Sequence, residues 1–146
     1  MKNINLKNLL VRPEVATFIM FVVIMIGFYI ANERFLDARN IRIVMGITPE
    51  YMIVAVGIAI LMISGEFDLS VGSVFALVPM AMVQMVHQGI PPWFAIFLGL
   101  MIGIIIGYIN GFITLKFGIP SFIATLGMLY IARSLTTVAT AGFPPP

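Results

Sequence analysis

Two carboxylates stand alone in a long apolar stretch of the sequence. Glu66 and Asp68 are the only Asp, Glu, Lys or Arg residues between Tyr51 and Leu115. They belong to residues 64–73, which read Ser-Gly-Glu-Phe-Asp-Leu-Ser-Val-Gly-Ser. A carboxylate at the centre of a bilayer costs about 2.5–3.5 kcal/mol on insertion scales. The two acids therefore require either a position at the membrane boundary or, at depth, water and hydrogen-bond partners.

Two structural roles are open for this segment. Asp68 or Ser70 can cap the N-terminus of a helix that we expect to begin near Val71, at a membrane boundary. Alternatively, the segment is a helix break within the membrane, where non-helical backbone lines a polar pathway. The capping pattern and the lack of a positive partner nearby disfavour a third interpretation, an ion or proton site formed by Glu66 and Asp68.

The sequence contains no constellation typical of an enzyme. It has no cysteine and a single histidine, His87, which excludes Cys-based and multi-His metal sites. It also has no phosphate-binding Gly-Lys-Ser/Thr motif and no nucleophile elbow. We therefore expect no catalytic residue, metal site or cofactor in this chain. If its activity depends on ATP, the ATP is hydrolysed by another protein.

The composition is that of a membrane protein. Of the 146 residues, 61% are hydrophobic and 10% are charged, whereas soluble domains carry about 25% charged residues. The chain cannot cover a globular surface with polar groups, so we predict an all-α, polytopic bundle in which residues 1–146 form one transmembrane domain in contact with lipid. The net charge of +2 comes from basic residues near the chain ends and does not indicate a nucleic-acid partner.

About five apolar segments are candidates for membrane spans. They are residues 15–31, 43–64, 71–86, 93–115 and 121–140. The first follows basic residues, as a signal peptide does, but its length and the lack of a small-residue cleavage pattern predict a retained span. The basic N-terminus and Lys116 favour a cytoplasmic N-terminus.

The second segment contains a signal that predicts an irregular span. Thr48, Pro49 and Glu50 form a helix-start pattern of N-cap, proline and acid. We expect either a break near Pro49 or a short helix that begins there. The mixed charges of residues 33–42 predict an interfacial loop before this segment.

Small and polar residues in the fourth segment indicate close helix packing. Glycines recur every four residues, at positions 99, 103, 107 and 111. At helical pitch, Gly99, Gly103, Gly107 and Gly111 form a strip that another helix can approach. Asn110, next to the last of these glycines, is more typical of an interhelical hydrogen bond than of a substrate contact.

Arg133 is the one basic residue within an apolar segment near the C-terminal end. Its side chain can snorkel to the membrane interface, or it can pair with Asp68 or Glu66 inside the bundle. Snorkelling is the interpretation we favour. His87, at the end of a span, is best explained as interfacial.

Several of these segments together resemble one protein family. Residues 65–73 resemble the signature of ribose/xylose-type sugar ABC transporter permeases, within the branched-chain amino acid/sugar permease superfamily. Two further blocks, Ile-Asn-Gly-Phe at 109–112 and Ile-Pro-Ser-Phe-Ile-Ala-Thr-Leu-Gly-Met at 119–128, follow in the family's order and spacing. The Ile-Ala-Arg-Ser-Leu block at 131–135 is similar to the family's Ala-Arg-Gly-Leu segment. The resemblance runs over about residues 36–143 and corresponds to the N-terminal half of such a permease.

The resemblance implies a permease subunit of an ATP-driven importer for a monosaccharide or related simple sugar, working by alternating access in the bacterial inner membrane. It implies a second permease subunit, a cytosolic ABC ATPase that uses the ATP, and a periplasmic sugar-binding protein. Asp68 and Ser70 would cap a broken helix near the pathway, whereas many members have glycine at the position of Glu66. The candidates for the pathway or the helix break are Glu66, Asp68, Ser70, Asn110 and Arg133.

The length of the chain leaves several possibilities open. Under the permease interpretation, we expect the protein to be a fragment of such a permease, a truncated product or one piece of a split permease. The alternatives are a small homodimeric transporter that works without ATP, and a non-transporting membrane assembly protein that dimerises through the glycine strip. Only the permease interpretation predicts association with an ATPase and a binding protein.

Overall fold

The computed structural model describes residues 12–140 and residue 142. In this part of the chain all regular structure is helical, which confirms the predicted all-α class. The helices are α1 (Pro13–Ala31), α2 (Ala38–Ile63), α3 (Val71–His87), α4 (Pro92–Phe117) and α5 (Ser121–Ala139). The chain divides into two units, Met1–Met52 and Ile53–Pro146, and α2 continues from the first into the second.

Four of the helices, α1, α2, α4 and α5, are long and apolar enough to cross a membrane. Helix α3 is also apolar but has 17 residues, which corresponds to about 26 Å at 1.5 Å per residue. The hydrocarbon core of a bilayer is about 30 Å thick. Helix α3 is therefore slightly short for a complete crossing.

In the first unit, helix α1 begins at a proline and ends at a short polar turn. Pro13 occupies the first turn, where its missing N–H costs no hydrogen bond. After the helix, the side-chain Oδ1 of Asn32 accepts the Arg34 N–H at 3.0 Å, and the rings of Phe28 and Phe35 stack with centroids 5.7 Å apart. Helix α2 begins at Ala38, so the connection from α1 is short. The region 33–42, which the sequence predicts as a loop, is therefore partly helical.

The prediction of a break or helix start at Pro49 is wrong. Helix α2 is continuous from Ala38 to Ile63 with Pro49 in its interior. Thr48 does not cap a new helix, because its hydroxyl donates backwards to the Val44 carbonyl at 2.6 Å, one turn earlier. Apolar residues precede the proline as well as follow it, and prolines are tolerated inside membrane helices. The apolar sequence on both sides of Pro49 therefore outweighs the local helix-start pattern.

In the second unit, α3 contacts both α4 and α5, and α4 contacts α5. The side chains buried in this unit are mostly small, as is typical of membrane helices that approach closely. The buried residues are Ser70, Met80, Ala95, Gly99, Asn110, Thr125 and Ala132. Large apolar side chains, by contrast, point outwards; Trp93, for example, is 72% exposed, as expected for a surface that lipid covers.

Polar groups fasten the ends of these helices to one another. The Gln84 side chain of α3 donates from Nε2 to the Ala139 carbonyl of α5 at 2.8 Å. That carbonyl belongs to the last turn of α5, where backbone acceptors have no partner within the helix. The polar residue near the end of α3 thus satisfies the end of a neighbouring helix.

The glycine strip of α4 packs against another helix of this chain at one position. A Cβ added to Gly99 would lie 2.5 Å from the Met82 Sδ and 3.2 Å from the Val78 Cγ1. At Gly103, Gly107 and Gly111 an added Cβ would meet nothing within 4 Å. The expected helix-packing strip is therefore incomplete. Side chains of α3 lie against α4 at Gly99, and the other three glycines border open space.

The different surroundings of Gly99 and Gly103 predict different effects of the same substitution at the two positions. Gly99→Ala and Gly103→Ala gain the same helix propensity, but only Gly99→Ala must displace Met82 from the α3–α4 contact. We expect the Gly99→Ala protein to be about 1–2 kcal/mol less stable than the Gly103→Ala protein. The measurement is equilibrium unfolding of both variants in mixed detergent micelles. Equal stabilities would contradict the close α3–α4 contact at Gly99.

Candidate functional site

Residues 64–70, here named the break segment, separate α2 from α3. Helix α2 ends in a Schellman motif around Gly65, which has a φ of +85°. The Gly65 N–H donates to the Met62 carbonyl at 3.0 Å, and the Glu66 N–H donates to the Leu61 carbonyl at 3.2 Å. Only glycine adopts this left-handed conformation without steric cost. The helix stops here because of local geometry, and the acids begin immediately after it.

The backbone of the break segment bonds to hydroxyls of α5. The Phe67 N–H donates to the Ser121 Oγ, and the Leu69 N–H donates to the Thr125 Oγ1, each at 3.1 Å. Thr125 is 3% exposed, and its own hydroxyl donates to the Ser121 carbonyl at 2.7 Å. Side chains four residues apart on a helix are about 6 Å apart, which matches the roughly 6.6 Å between alternate residues of an extended chain. One face of α5 therefore supplies acceptors for two backbone donors that no helix satisfies.

Asp68 organises the start of α3. Its Oδ1 accepts the backbone N–H of Ser70 at 2.7 Å and the Ser70 hydroxyl at 2.6 Å. This is an Asx-type turn, in which a side chain replaces a backbone acceptor next to a helix start. Ser70 occupies the N-cap position of α3 but makes no side-chain cap hydrogen bond. Of the two cap candidates, it is the Asp68 carboxylate that binds a backbone N–H.

A side chain of α4 completes this hydrogen-bond chain. The Asn110 Nδ2 donates to the Ser70 Oγ at 3.0 Å, which is the interhelical hydrogen bond favoured from the sequence. Ser70 is 1% exposed and Asn110 is 5% exposed. The chain Asn110–Ser70–Asp68 therefore ties α4 to the break segment within the protein interior.

The other amide atom of Asn110 has no partner in the part of the chain described. Its Oδ1 is buried and accepts no hydrogen bond there. An unsatisfied buried acceptor costs about 1–3 kcal/mol, and buried groups of this kind call for a specific explanation, such as a water, an ion or a ligand. Asn110 is thus hydrogen-bonded through its Nδ2, while its Oδ1 is buried without a partner among the described residues.

A cavity of about 410 Å³, here named the break cavity, adjoins this arrangement. Its volume lies within the range of about 300–1,000 Å³ typical of small-molecule sites. Its walls come from the end of α2, the break segment, the second half of α4 and the first turns of α5. The lining residues are Leu61, Ser64, Glu66, Phe67, Asp68, Gly107, Asn110, Gly111, Thr114, Leu115, Ser121 and Thr125.

Four of the five site candidates from the sequence lie together. Glu66, Asp68 and Asn110 line the break cavity, and Ser70 is hydrogen-bonded behind them. Arg133 lies apart from the break cavity, because it lines a separate cavity of about 390 Å³ beside the start of α3. The side chain of Arg133 is exposed. Within residues 12–140, no ion pair joins it to either acid.

No pattern in the sequence identified Ser121 and Thr125 as the residues that hold the break segment. Both were recognisable only as members of the family-like block at 119–128. The signal that could have found them is two hydroxyls four residues apart on one face of an apolar helix. Among the described residues, no group of three or more His, Cys, Asp or Glu side chains could hold a metal ion.

Comparison with known proteins assigns the chain to a family. The family model described as the branched-chain amino acid transport system / permease component matches residues 40–143. The chain belongs to this permease family. The resemblance carried by residues 65–73 and the blocks after it is therefore confirmed, and the apolar helices are those of a multi-pass membrane protein.

Curated relatives are import permeases that are longer than this chain. A xylose/arabinose import permease from Sulfolobus acidocaldarius is 30% identical over 147 residues, covering 96% of this chain and 41% of the relative. A ribose import permease from Bacillus subtilis is 35% identical over 134 residues, covering 92% of this chain and 42% of the relative. An autoinducer 2 import system permease from Photorhabdus laumondii is 34% identical, covering 90% and 43% respectively.

The chain thus spans about two fifths of the length of these relatives. No solved structure shows significant similarity to it.

The role of the α5 hydroxyls in holding the break segment can be tested by removing one of them. Thr125→Val keeps the side-chain shape but leaves the Leu69 N–H without its acceptor, so we expect a loss of about 1–2 kcal/mol in stability. Thr137→Val is the matched control, since that hydroxyl bonds only to the Arg133 carbonyl of its own helix and the residue is exposed.

Equilibrium unfolding in mixed micelles measures both variants. A Thr125→Val protein as stable as the Thr137→Val protein would show that α5 does not hold the break segment.

Proposed function

We propose that this chain is part of the membrane permease of an ATP-driven importer for a monosaccharide or a related small polyhydroxylated solute. Three findings support the proposal: the chain belongs to a permease family, four of its described helices are long and apolar enough to cross a membrane, and a hydrogen-bonded break separates α2 from α3. The observation that carries it is the break cavity, where polar side chains line a space among otherwise apolar helices. Non-helical backbone at membrane depth persists only where it is buried in protein or lines a cavity.

The solute class follows from the relatives and from the lining of the break cavity. Curated relatives are named for ribose, for xylose and arabinose, and for autoinducer 2. Ribose, xylose and arabinose are small sugars rich in hydroxyl groups. The break cavity offers carboxylate, amide and hydroxyl oxygens next to apolar surface, and this combination suits a solute with hydroxyls on a carbon skeleton.

In this proposal the chain performs no chemical step. ATP is bound and hydrolysed by a cytosolic ATPase, a soluble binding protein delivers the solute on the outside, and a second permease subunit completes the pathway. The protein lies in the bacterial inner membrane with its N-terminus in the cytoplasm. The break segment faces the pathway, and alternating access exposes it to each side in turn.

Uptake by the native host tests this function. We expect deletion of the coding region to abolish ATP-dependent uptake of one labelled monosaccharide among ribose, xylose, arabinose and fructose, and a plasmid copy to restore it. A protein purified gently from host membranes should retain an ABC ATPase at a defined stoichiometry.

Undiminished uptake of all these sugars, together with a purified protein that carries no ATPase, would overturn the proposal. Uptake that persists in ATP-depleted cells would favour a small homodimeric transporter instead. Loss of another membrane complex without any transport defect would favour an assembly protein.

A further inference from the structure

Arg133 is a positive charge on the apolar surface of α5. Its side chain is exposed, and in the part of the chain described its guanidinium has no hydrogen-bond or ion-pair partner. Tyr130 and Ile131, its neighbours on α5, are 62% and 55% exposed, so this surface faces lipid when the helix crosses a membrane. Arginine keeps its charge at every physiological pH, and an unpaired charge among lipid chains is unfavourable. Arg133 therefore requires an anion.

The acids of the second unit do not supply this anion. The Asp68 carboxylate binds the N–H and the hydroxyl of Ser70. Glu66 lines the break cavity and not the cavity beside Arg133. The sequence contains no other Asp or Glu after Ile53. The counter-ion of Arg133 must therefore come from outside the second unit.

Arg133 lies close enough to a membrane boundary to reach it. Six residues, or about 9 Å along the helix, separate it from Ala139 at the end of α5. Gln84 of α3 is hydrogen-bonded to that end, and α4 begins beyond the next turn with Trp93, a residue type enriched at membrane interfaces. Long basic side chains extend along apolar surface to bring their charge to the interface. The anions that a bilayer offers there are the phosphates of its lipids.

The surface beside Arg133 is a groove with one polar end and one apolar end. The cavity of about 390 Å³ between α3 and α5 is here named the Arg133 groove. Arg133, Thr136 and Thr137 line the part nearer the end of α5, whereas Leu69 and Leu129 line the part further from it. A ligand that matches the groove is therefore anionic near the membrane boundary and apolar towards the membrane interior. A phospholipid divides in this way.

The α3 wall of the Arg133 groove leaves space for an acyl chain. Gly72 and Ala76 line this wall and lie four residues apart, so they share one face of the helix. A Cβ added to Gly72 would meet nothing within 4 Å. A small inorganic anion would contact only the polar end of the groove and leave this apolar wall uncovered.

We propose that the Arg133 groove binds one phospholipid. The Arg133 guanidinium donates to the lipid phosphate, for which its planar set of N–H groups is well suited. An acyl chain lies between α3 and α5 along Gly72 and Ala76. Lipids with a net negative charge bind more tightly than zwitterionic ones, because the positive head group of a zwitterionic lipid competes with Arg133 for the phosphate. The bound lipid bridges α3 and α5 next to the break segment.

Quenching of tryptophan fluorescence by brominated lipids tests this site. Trp93→Phe removes the single tryptophan of the chain. In that background Tyr130→Trp places a reporter beside the groove, about one helical turn from Arg133. Leu135→Trp is the matched control, because Leu135 is 53% exposed but lies about 200° around α5 from Arg133. The full chain is reconstituted in phosphatidylcholine with increasing fractions of dibrominated phosphatidylglycerol or dibrominated phosphatidylcholine.

The measured quantity is the affinity for phosphatidylglycerol relative to phosphatidylcholine at each reporter. We expect a ratio of about five at Tyr130→Trp, the factor that one arginine near an anionic membrane surface contributes. Adding Arg133→Gln should lower this ratio to about one, and Arg133→Lys, which keeps the charge, should leave it above one. At Leu135→Trp the ratio should be about one with either residue at 133, and unchanged quenching there shows that the Arg133→Gln protein retains its fold.

Several outcomes would refute the lipid site. Equal ratios at the two reporters, or a ratio at Tyr130→Trp that survives Arg133→Gln, would show that the groove has no preference of its own. A Tyr130→Trp reporter that no brominated lipid quenches would mean that protein covers this face and supplies the counter-ion. Relief of quenching by soluble glycerol phosphate would mean that the site takes a free phosphate ester and not a lipid.

Discussion

The second unit of this protein depends on one constraint, which is that backbone N–H groups outside a helix must find acceptors where water is scarce. The break segment exposes such donors between α2 and α3. Ser121 and Thr125 accept two of them, and the Asp68 carboxylate accepts a third. Without these acceptors, the N–H groups of the segment could be satisfied only if the segment joined a helix or moved to an aqueous boundary. Helix α5 and Asp68 thus supply the acceptors that hold the helix break beside the cavity.

The same polar groups connect three helices through side chains of small size. Asp68 binds Ser70 at the start of α3, and Ser70 accepts a hydrogen bond from Asn110 of α4. Each of these residues is short, so the helices approach closely and the hydrogen bonds remain shielded. Such bonds are individually modest in membrane proteins, averaging about 0.6 kcal/mol. Their effect here is chiefly to orient groups, because they fix the Asn110 amide against Ser70 and the Ser70 hydroxyl against Asp68.

Features that depend on local composition were predictable, whereas features that depend on tertiary neighbours were not. The helical class, the interruption around Asp68 and the interhelical role of Asn110 follow from apolar runs and from isolated polar residues within them. The prediction of a helix start at Thr48 and Pro49 was wrong, because the apolar residues on both sides of Pro49 keep α2 continuous. The prediction that the four glycines pack against another helix was only partly correct. Their periodicity identifies a smooth helix face but not what lies opposite that face. Among these four glycines, Gly99 is the one whose added Cβ would meet a neighbouring helix of the described chain within 4 Å.

The hydrogen bonds from α5 have a consequence for how the sequence can vary. Phe67 and Leu69 donate through the main chain, so any residue other than proline at these positions provides the same donor. The acceptors, by contrast, are side-chain oxygens, and they lie 54 and 56 residues further along the chain. The shape of the break segment therefore depends on the hydroxyls at residues 121 and 125 more than on the side chains at residues 67 and 69. A side-chain change at 67 or 69 keeps both hydrogen bonds, whereas the loss of either distant hydroxyl removes one.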